Sequence, residues 1–310
     1  MRIAIYGVGG AGGYFGAQLA RAGEEVIFIA RGPHLDAIRE NGLCLTTALG
    51  EMLVQPHFAT DDPAEAGIVD VVILGVKANQ VTDAAKAIAP MMGGDSFVVP
   101  LQNGIEASAQ LSSILGEANV VSGLCGTVSW VTAPGHIQSL GDTNFIRFGE
   151  LDNRRSVRTQ KLVDTFDRAG VRAEIPPNIH KAVWEKFLFV VSVGGVAATK
   201  RQPIGVIRAE KESRRMLELC MREIYNLARA RNVPLEESVI ERTLRFVESL
   251  PPEGTTSLQR DLEEGRPSEL EAWNGAVVRL AREAAVDVPV HAFIYENLLS
   301  RELESRANYT

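Results

Sequence analysis

The sequence predicts an α/β protein in two parts: an amino-terminal doubly wound parallel sheet followed by an all-helical carboxy-terminal domain. Three observations carry this. A glycine-rich turn, Gly7-Val8-Gly9-Gly10-Ala11-Gly12, follows directly on the apolar run Ile3-Ala4-Ile5-Tyr6. Apolar runs then alternate with helical stretches, the pattern of an α/β sheet covered on both faces. After Ile175-Pro176-Pro177 the chain becomes helical in character. At 310 residues it exceeds the usual size of one hydrophobic core, and 45% hydrophobic residues supply two. The boundary is expected near Pro177, giving domains 1–177 and 178–310.

The elements follow in order. Behind the first strand, Gly13 to Arg21 reads as an amphipathic helix closed by Ala22-Gly23, and Glu24 to Ala30 as the second strand. Val69 to Val76 is a near-continuous apolar run, as a buried parallel strand requires. Val81 to Ala89 is helical, residues 90–95 turn, and Ser96 to Leu101 form the next strand. Val120 to Val131 and Asn144 to Phe148 are expected to extend the same sheet. Beyond the boundary, helices are expected over His180 to Val191, Arg208 to Arg231, Glu236 to Ser249 and Pro267 to Ala284.

Composition excludes several functions. A net charge of −7 and a pI near 5.4, with no useful basic run, argue against a nucleic-acid surface. No export leader is expected, because Met1-Arg2 runs straight into a strand too short for an apolar signal core. No apolar span long enough to cross a bilayer is expected. Cys44, Cys125 and Cys220 are distant from one another, odd in number and without metal-ligand spacing, as in a reduced cytoplasmic protein.

The glycine turn carries the first chemistry. A strand, a glycine turn and a helix amino terminus form an anion site suited to a dinucleotide pyrophosphate. Gly7 permits the tight turn, Gly9 lets the backbone approach the diphosphate, and Gly12 allows close helix–strand packing; an ordinary tight turn is the bland alternative. At the end of the second strand, where an acidic residue would accept from a ribose hydroxyl, stand Arg31, Gly32 and His34. A guanidinium there pairs with a 2′-phosphate, which favours NADP(H), unless Arg31 is simply solvated. Ligands of open sheets bind beyond the strand carboxyl ends. There lie Lys77-Ala78-Asn79-Gln80 and Gln102-Asn103-Gly104, each readable also as a loop lysine or an asparagine–glycine turn. In the helical half, Lys186 sits in an apolar helix, where it either snorkels to solvent or serves as a proton donor in a cleft. Glu269, after Pro267-Ser268, reads by default as a first-turn helix carboxylate.

These segments resemble the ketopantoate reductase (2-dehydropantoate 2-reductase) family across the whole chain. The match runs through the glycine turn, Arg31, the Lys77 lip, Gln102-Asn103-Gly104, Trp184-Glu185-Lys186 and Gly265-Arg266-Pro267-Ser268-Glu269, with Asn274-Gly275 beyond. The resemblance implies an amino-terminal Rossmann domain, a helical second domain and NADPH-dependent reduction of ketopantoate to pantoate, on the route to pantothenate and coenzyme A. It implies Lys186 as proton donor and Glu269 as the assisting glutamate. Asn103 would contact nicotinamide and substrate, Lys77 would lie by the cofactor, Arg31 by the 2′-phosphate, and Ser257 would bind substrate. A cytoplasmic homodimer is expected.

The chain departs from the family where asparagines stand four and eight positions after the lysine; here these are Val190 and Gly194. Either Ser192 or Arg260 takes over, or the substrate is a more apolar 2-oxo acid, with the Gly194-Gly195 pair leaving room for a bulkier ligand. The competing functions are a reductase or D-2-hydroxy acid dehydrogenase for another 2-oxo acid, and a non-catalytic NADP(H)-binding sensor.

Overall fold

The computed structural model describes residues 1–309. The chain divides into two units, one of Met1–Gln102 with Glu106–His180, the other of Asn103–Ile105 with the chain from Lys181 onward. The division thus falls three residues beyond the expected boundary, and one short segment of the first half belongs with the second.

The first unit opens with β1 (Arg2–Tyr6), α1 (Gly10–Arg21), β2 (Glu25–Ile29), α2 (Gly32–Asn41), β3 (Leu43–Thr47), β4 (Gly50–Val54) and β5 (Phe58–Thr60). It continues through β6 (Val69–Leu74), α3 (Val81–Ile88), β7 (Met92–Pro100), α4 (Ala107–Leu115), β8 (Val121–Ala133), β9 (His136–Glu150), α5 (Val157–Arg168) and β10 (Arg172–Glu174). A parallel sheet runs in the order β5-β2-β1-β6-β7. Its strands alternate between two cores. Ile3, Ile5, Val71 and Ile73 pack with Phe15, Leu19, Leu162 and Phe166 on one side. Ala4, Tyr6, Val72 and Leu74 pack with Val81, Ala85, Ile88 and Leu111 on the other. Side chains of successive strand residues point oppositely, so a run that is apolar throughout is what a doubly covered sheet demands. Each fully buried Ile or Phe contributes roughly 1.5–3 kcal/mol.

The expectation that residues 120–131 and 144–148 extend this sheet is corrected. They lie in β8 and β9, which pair antiparallel with each other inside a second sheet of order β10-β9-β3-β4. Among the described residues, Val120, just before β8, bridges to Val98 of β7. The cause is the Pro134-Gly135 turn. A connection that short forces a hairpin, whereas parallel neighbours need a crossover of a dozen or more residues. At the end of β9, Arg158 of α5 grips Glu150 with two bonds, Nε to Oε1 at 2.7 Å and Nη2 to Oε2 at 2.6 Å. Burial alone would raise the Glu150 carboxyl, but hydrogen bonds from Arg158 and Ser156 and the guanidinium charge outweigh it and hold the pKa below the ordinary carboxylate value.

The second unit is helical: α6 (Ile179–Lys200, its first two residues counted with the first unit), α7 (Ile204–Ala209), α8 (Lys211–Ala230), α9 (Ser238–Ser249), α10 (Ser257–Glu263), a π turn (Glu271–Gly275), α11 (Ala276–Ala284) and α12 (Pro289–Tyr309). The single helix expected over 267–284 is therefore a π turn continued by α11, and α12 was not foreseen. Glu223 of α8 is one reason α12 starts where it does. Its carboxylate accepts from Val290 N–H at 2.8 Å and His291 N–H at 3.0 Å, satisfying amides that the first turn of a helix leaves open.

Contrary to expectation, α6 is long and apolar enough to cross a bilayer, with mean hydropathy 1.4 over its most apolar window. It serves as a core helix instead. Phe187, Leu188, Val191, Val196 and Ala197 are buried in one cluster with α8, α9, α11 and α12. On α9, Val247 is also core at 1% exposure, while Phe246 is half exposed with its ring edge against Phe189.

Candidate active site

At the glycine turn the contacts are backbone against backbone. Gly7 adopts φ +93°, a region that glycine reaches without the penalty a Cβ would impose. A Cβ on Gly12 would collide with the Gly7 carbonyl oxygen, and one on Gly75, a position the sequence reading passed over, would lie 2.7 Å from the same oxygen. Gly10 is constrained from another direction, since a Cβ there would strike the Ser129 carbonyl of β8. Gly9 is the exception: nothing lies within 4 Å of where its Cβ would be. Gly9 caps α1 without any side-chain hydrogen bond, and the first turn, which includes Ala11 and Gly12, contains no acidic residue. Orphan amides, the positive end of a helix dipole and open space beside Gly9 fit the diphosphate of a dinucleotide. Val8 is buried, so only its backbone is offered to a ligand.

Arg31 follows β2 and is exposed, with Nη2 3.4 Å from the Tyr6 hydroxyl. It thus stands at the carboxyl edge of the sheet, where an adenosine ribose would be met. His34 turns the other way. Its Nδ1 accepts from Gly135 N–H at 3.0 Å, tying α2 to the hairpin turn, and burial pushes its pKa below the ordinary imidazole value. An imidazole accepting at Nδ1 is in the neutral form, so His34 acts as a structural acceptor.

Lys77 is exposed just past β6, beginning a short turn in which its N–H donates to Gln80 Oε1 at 3.2 Å. Gln102 is a staple: its amide donates to the carbonyls of Leu74 and Val76, both at 2.9 Å, joining the ends of β6 and β7. Asn103, by contrast, belongs with the helical unit, where Ile105 packs against the main cluster.

Lys186 lies on α6, half-buried among core residues. Val190 is half-buried one turn on, and Gly194 is buried one turn beyond that. The π turn packs against this helix. A Cβ on Gly194 would lie 2.6 Å from Trp273 Cζ3, and one on Gly195 would lie 2.8 Å from Asn274 Nδ2. The expectation that the Gly194-Gly195 pair leaves room for a ligand is therefore corrected: Trp273 and Asn274 fill that room. Ser192 does not replace the missing asparagines either. It is fully buried and, six residues after Lys186, lies about 240° round the helix. Arg260 is exposed, with Nη1 donating to the carbonyl and hydroxyl of Thr255, both at 2.9 Å.

Glu269 lies two residues before the π turn, and its carbonyl accepts from Trp273 N–H at 3.0 Å. Its segment is anchored from α12: the buried Glu302 carboxylate accepts from Ser268 N–H at 3.1 Å and from the Ser268 hydroxyl, and Arg306 pairs with it at 2.6 Å. Sequence reasoning missed this anchor because it missed α12. Glu271 is engaged elsewhere, accepting from the Tyr295 hydroxyl at 2.6 Å, a bond that holds the phenol up at about 12. Ser257 is exposed in the first turn of α10, which Thr256 caps by accepting from Gln259 N–H at 3.2 Å. Asn103, Lys186, Ser257 and Glu269 thus share one unit, and the glycine turn, Arg31 and Lys77 share the other. Among the described residues no group of three His, Cys, Asp or Glu is arranged to hold a metal.

Residues 3–153 match the family described as Ketopantoate reductase PanE/ApbA, and residues 178–302 match its carboxy-terminal counterpart. A 2-dehydropantoate 2-reductase of Mesorhizobium japonicum is 31% identical over 93% of this chain and 93% of its own. An uncharacterized oxidoreductase of Bacillus subtilis, YkpB, is 28% identical over 98% of this chain and 100% of its own. The crystal structure of a PanE/ApbA family ketopantoate reductase from Ralstonia eutropha superimposes with a TM-score of 0.91 at 29% identity, covering 99% of this chain and 100% of that one. With both matched regions in sequence order over the same fold, the chain is an oxidoreductase of the ketopantoate reductase family that uses a nicotinamide cofactor.

Proposed function

We propose that the protein reduces the C2 carbonyl of a 2-oxo acid to the 2-hydroxy acid at the expense of NADPH. The observation that carries this reading is Lys186, held half-buried on a largely apolar core helix that packs against the turn following Glu269. Bound NADPH supplies the hydride. Lys186 stabilises the charge developing on the carbonyl oxygen and delivers the proton to it, and Glu269 assists. Asn103 orients the substrate against the cofactor, Ser257 binds substrate, and Lys77 lies along the cofactor. Gly7 to Gly12 hold the diphosphate, and Arg31 pairs with the 2′-phosphate, which selects NADPH over NADH.

The family substrate, ketopantoate, is the first to assay, with pantoate as product on the route to pantothenate. A second reading, another branched or bulkier 2-oxo acid, is favoured by Val190 and Gly194, which replace two amides. In this reading residues 1–177 form the cofactor domain and 178–310 the substrate domain. The three buried cysteines suit a reducing cytoplasm, and a homodimer is the expected assembly, checked by sedimentation. Consumption of NADPH, followed by its near-ultraviolet absorbance with a panel of 2-oxo acids, tests the proposal. It expects turnover that Lys186→Ala abolishes. A protein that binds NADPH and reduces none of the panel is the non-catalytic sensor instead.

A further inference from the structure

We infer that Glu302 is a positioning residue for the reaction: with Tyr295 and Arg301 it makes helix α12 the template that fixes the backbone carrying Glu269. The inference rests on the reading that Glu269 assists Lys186 in 2-oxo acid reduction. It assigns part of the rate to a helix whose side chains act through Glu269 alone.

Tyr295 and Glu302 stand two turns apart on α12, so they fall within about 20° of one another on one face of the helix. From that face the Tyr295 hydroxyl donates to Glu271 Oε2 at 2.6 Å, just after Glu269 in the chain. The Glu302 carboxylate accepts from Ser268 N–H at 3.1 Å, just before it. The Ser268 hydroxyl donates to Glu302 and accepts from Leu270 N–H at 3.2 Å. The amides on both sides of Glu269 are thus tied, directly or through this hydroxyl, to one carboxylate, and the Glu269 carbonyl is taken by Trp273 N–H at 3.0 Å. Arg301 adds a third point, its Nη2 donating at 3.2 Å to the Leu262 carbonyl of α10, the helix that opens with Ser257. Between these points Arg266 closes the connecting loop on Asp261, N–H to carbonyl at 2.7 Å and guanidinium to carboxylate at 3.0 Å.

The chemistry of Glu302 suits placement better than stability. The residue is buried at 2% exposure, and a well-packed apolar side chain would serve the core as well as a buried charge or better. What a carboxylate offers is acceptance on every side. Ser268 N–H, Ser268 O–H and Arg306 Nε, 2.6 Å from Oε1, all aim donors at it. A glutamine has one acceptor oxygen, and either orientation of its amide turns an NH2 group toward a donor nitrogen, of Ser268 or of Arg306. The array that sets the backbone at Glu269 therefore needs the charge, and a reacting group displaced by about 1 Å can lose a hundredfold in rate.

The test is a double-mutant cycle on kcat, with NADPH saturating and the better of ketopantoate and trimethylpyruvate as substrate. Glu302→Gln is expected to lower kcat about tenfold in the native background and by less than about twofold in the Glu269→Gln background, because a residue that acts through Glu269 then has nothing to place. The KM for NADPH stays within about twofold, since the glycine turn belongs to the other unit. Tyr295→Phe, which removes a hydroxyl and keeps the ring, is expected to lower kcat about threefold with the same dependence on Glu269. Arg158→Ala, a loss of stability in the other unit, is expected to keep the native kcat at a temperature where it is folded, which separates stability from placement. Equal losses in both backgrounds, or native kcat in a folded Glu302→Gln protein, overturn the inference and leave 2-oxo acid reduction intact. Should Glu302→Gln not fold, Tyr295→Phe decides by the same two outcomes. Native kcat in Glu269→Gln, or no turnover of any 2-oxo acid, overturns the underlying reading and the inference with it.

Discussion

At the glycine turn the close contacts are backbone atoms: Gly12 against the Gly7 carbonyl, Gly10 against the Ser129 carbonyl, and open space beside Gly9. Around α6 the close contacts are side chains entering glycine positions: Trp273 at Gly194 and Asn274 at Gly195. The first arrangement hardly depends on which side chains surround it, so it suits the part of a ligand common to a whole class of enzymes. The second depends on pairs of residues 79 positions apart in the sequence, and changing either member of a pair changes the packing around α6. A fold that keeps its cofactor and varies its substrate is expected to divide its contacts in this way.

The largest break in the comparison is Lys186→Ala. Loss of a positioned proton donor is expected to lower kcat by about a thousandfold, with NADPH affinity held within about twofold because the glycine turn is untouched. Stopped-flow turnover together with a fluorescence titration of NADPH checks both halves.

A change at residues assigned to neither site gives the scale of a purely structural loss. Arg158→Ala leaves Glu150, whose side chain is 4% exposed, as a buried carboxylate without its guanidinium, at a cost of about 3 kcal/mol. In the native protein the Glu150 pKa is depressed, so its contribution is full above the ordinary carboxylate pKa and is lost as pH falls through the lower folded value. The variant lacks that depression. Its deficit against the native protein is therefore expected to be largest above the ordinary carboxylate pKa and to shrink as pH falls through the lower folded value of the native Glu150, in denaturant titrations across the acid range.

Alanine at two glycines sharpens the contrast within a single turn. Gly12→Ala drives a methyl into the Gly7 carbonyl and is expected to cost about 2 kcal/mol of stability. Gly9 has φ −82° and empty space before it, so Gly9→Ala is expected to leave stability within about 0.5 kcal/mol while weakening NADPH by about tenfold, since the methyl points where a diphosphate would approach. Calorimetric melts and NADPH titrations on both variants separate fold from ligand. Between these effects in size falls Arg31→Ala, expected to reduce the preference for NADPH over NADH by about ten- to a hundredfold, read from the two kcat/KM values.

The contrast also explains what was legible in the sequence. The glycine turn could be read because backbone approach demands glycine at fixed spacing, and the parallel strands because both faces are buried. The hairpin of β8 and β9 was misassigned although Pro134-Gly135 signals a tight turn, because apolar composition does not distinguish a strand of one sheet from a strand of another. His34 lay where a phosphate ligand would be sought, and only the structure reveals that it serves Gly135. Helix α12 escaped because its apolar and polar residues form no clear stripe, and with it went Glu302, the carboxylate that fixes the Glu269 segment. Gly194 was seen as a gap. That Trp273 fills it depends on the phase of a π turn, which carries no residue signature.

The most direct test of the central claim is single-turnover reduction of trimethylpyruvate and ketopantoate by the NADPH-loaded wild type and its Lys186→Ala variant. The account predicts oxidation of bound NADPH by the wild type with at least one of the two acids, and a loss of about a thousandfold in the variant with cofactor still bound. Oxidation in the variant at the wild-type rate, or a wild type that leaves NADPH untouched with both acids, would contradict it.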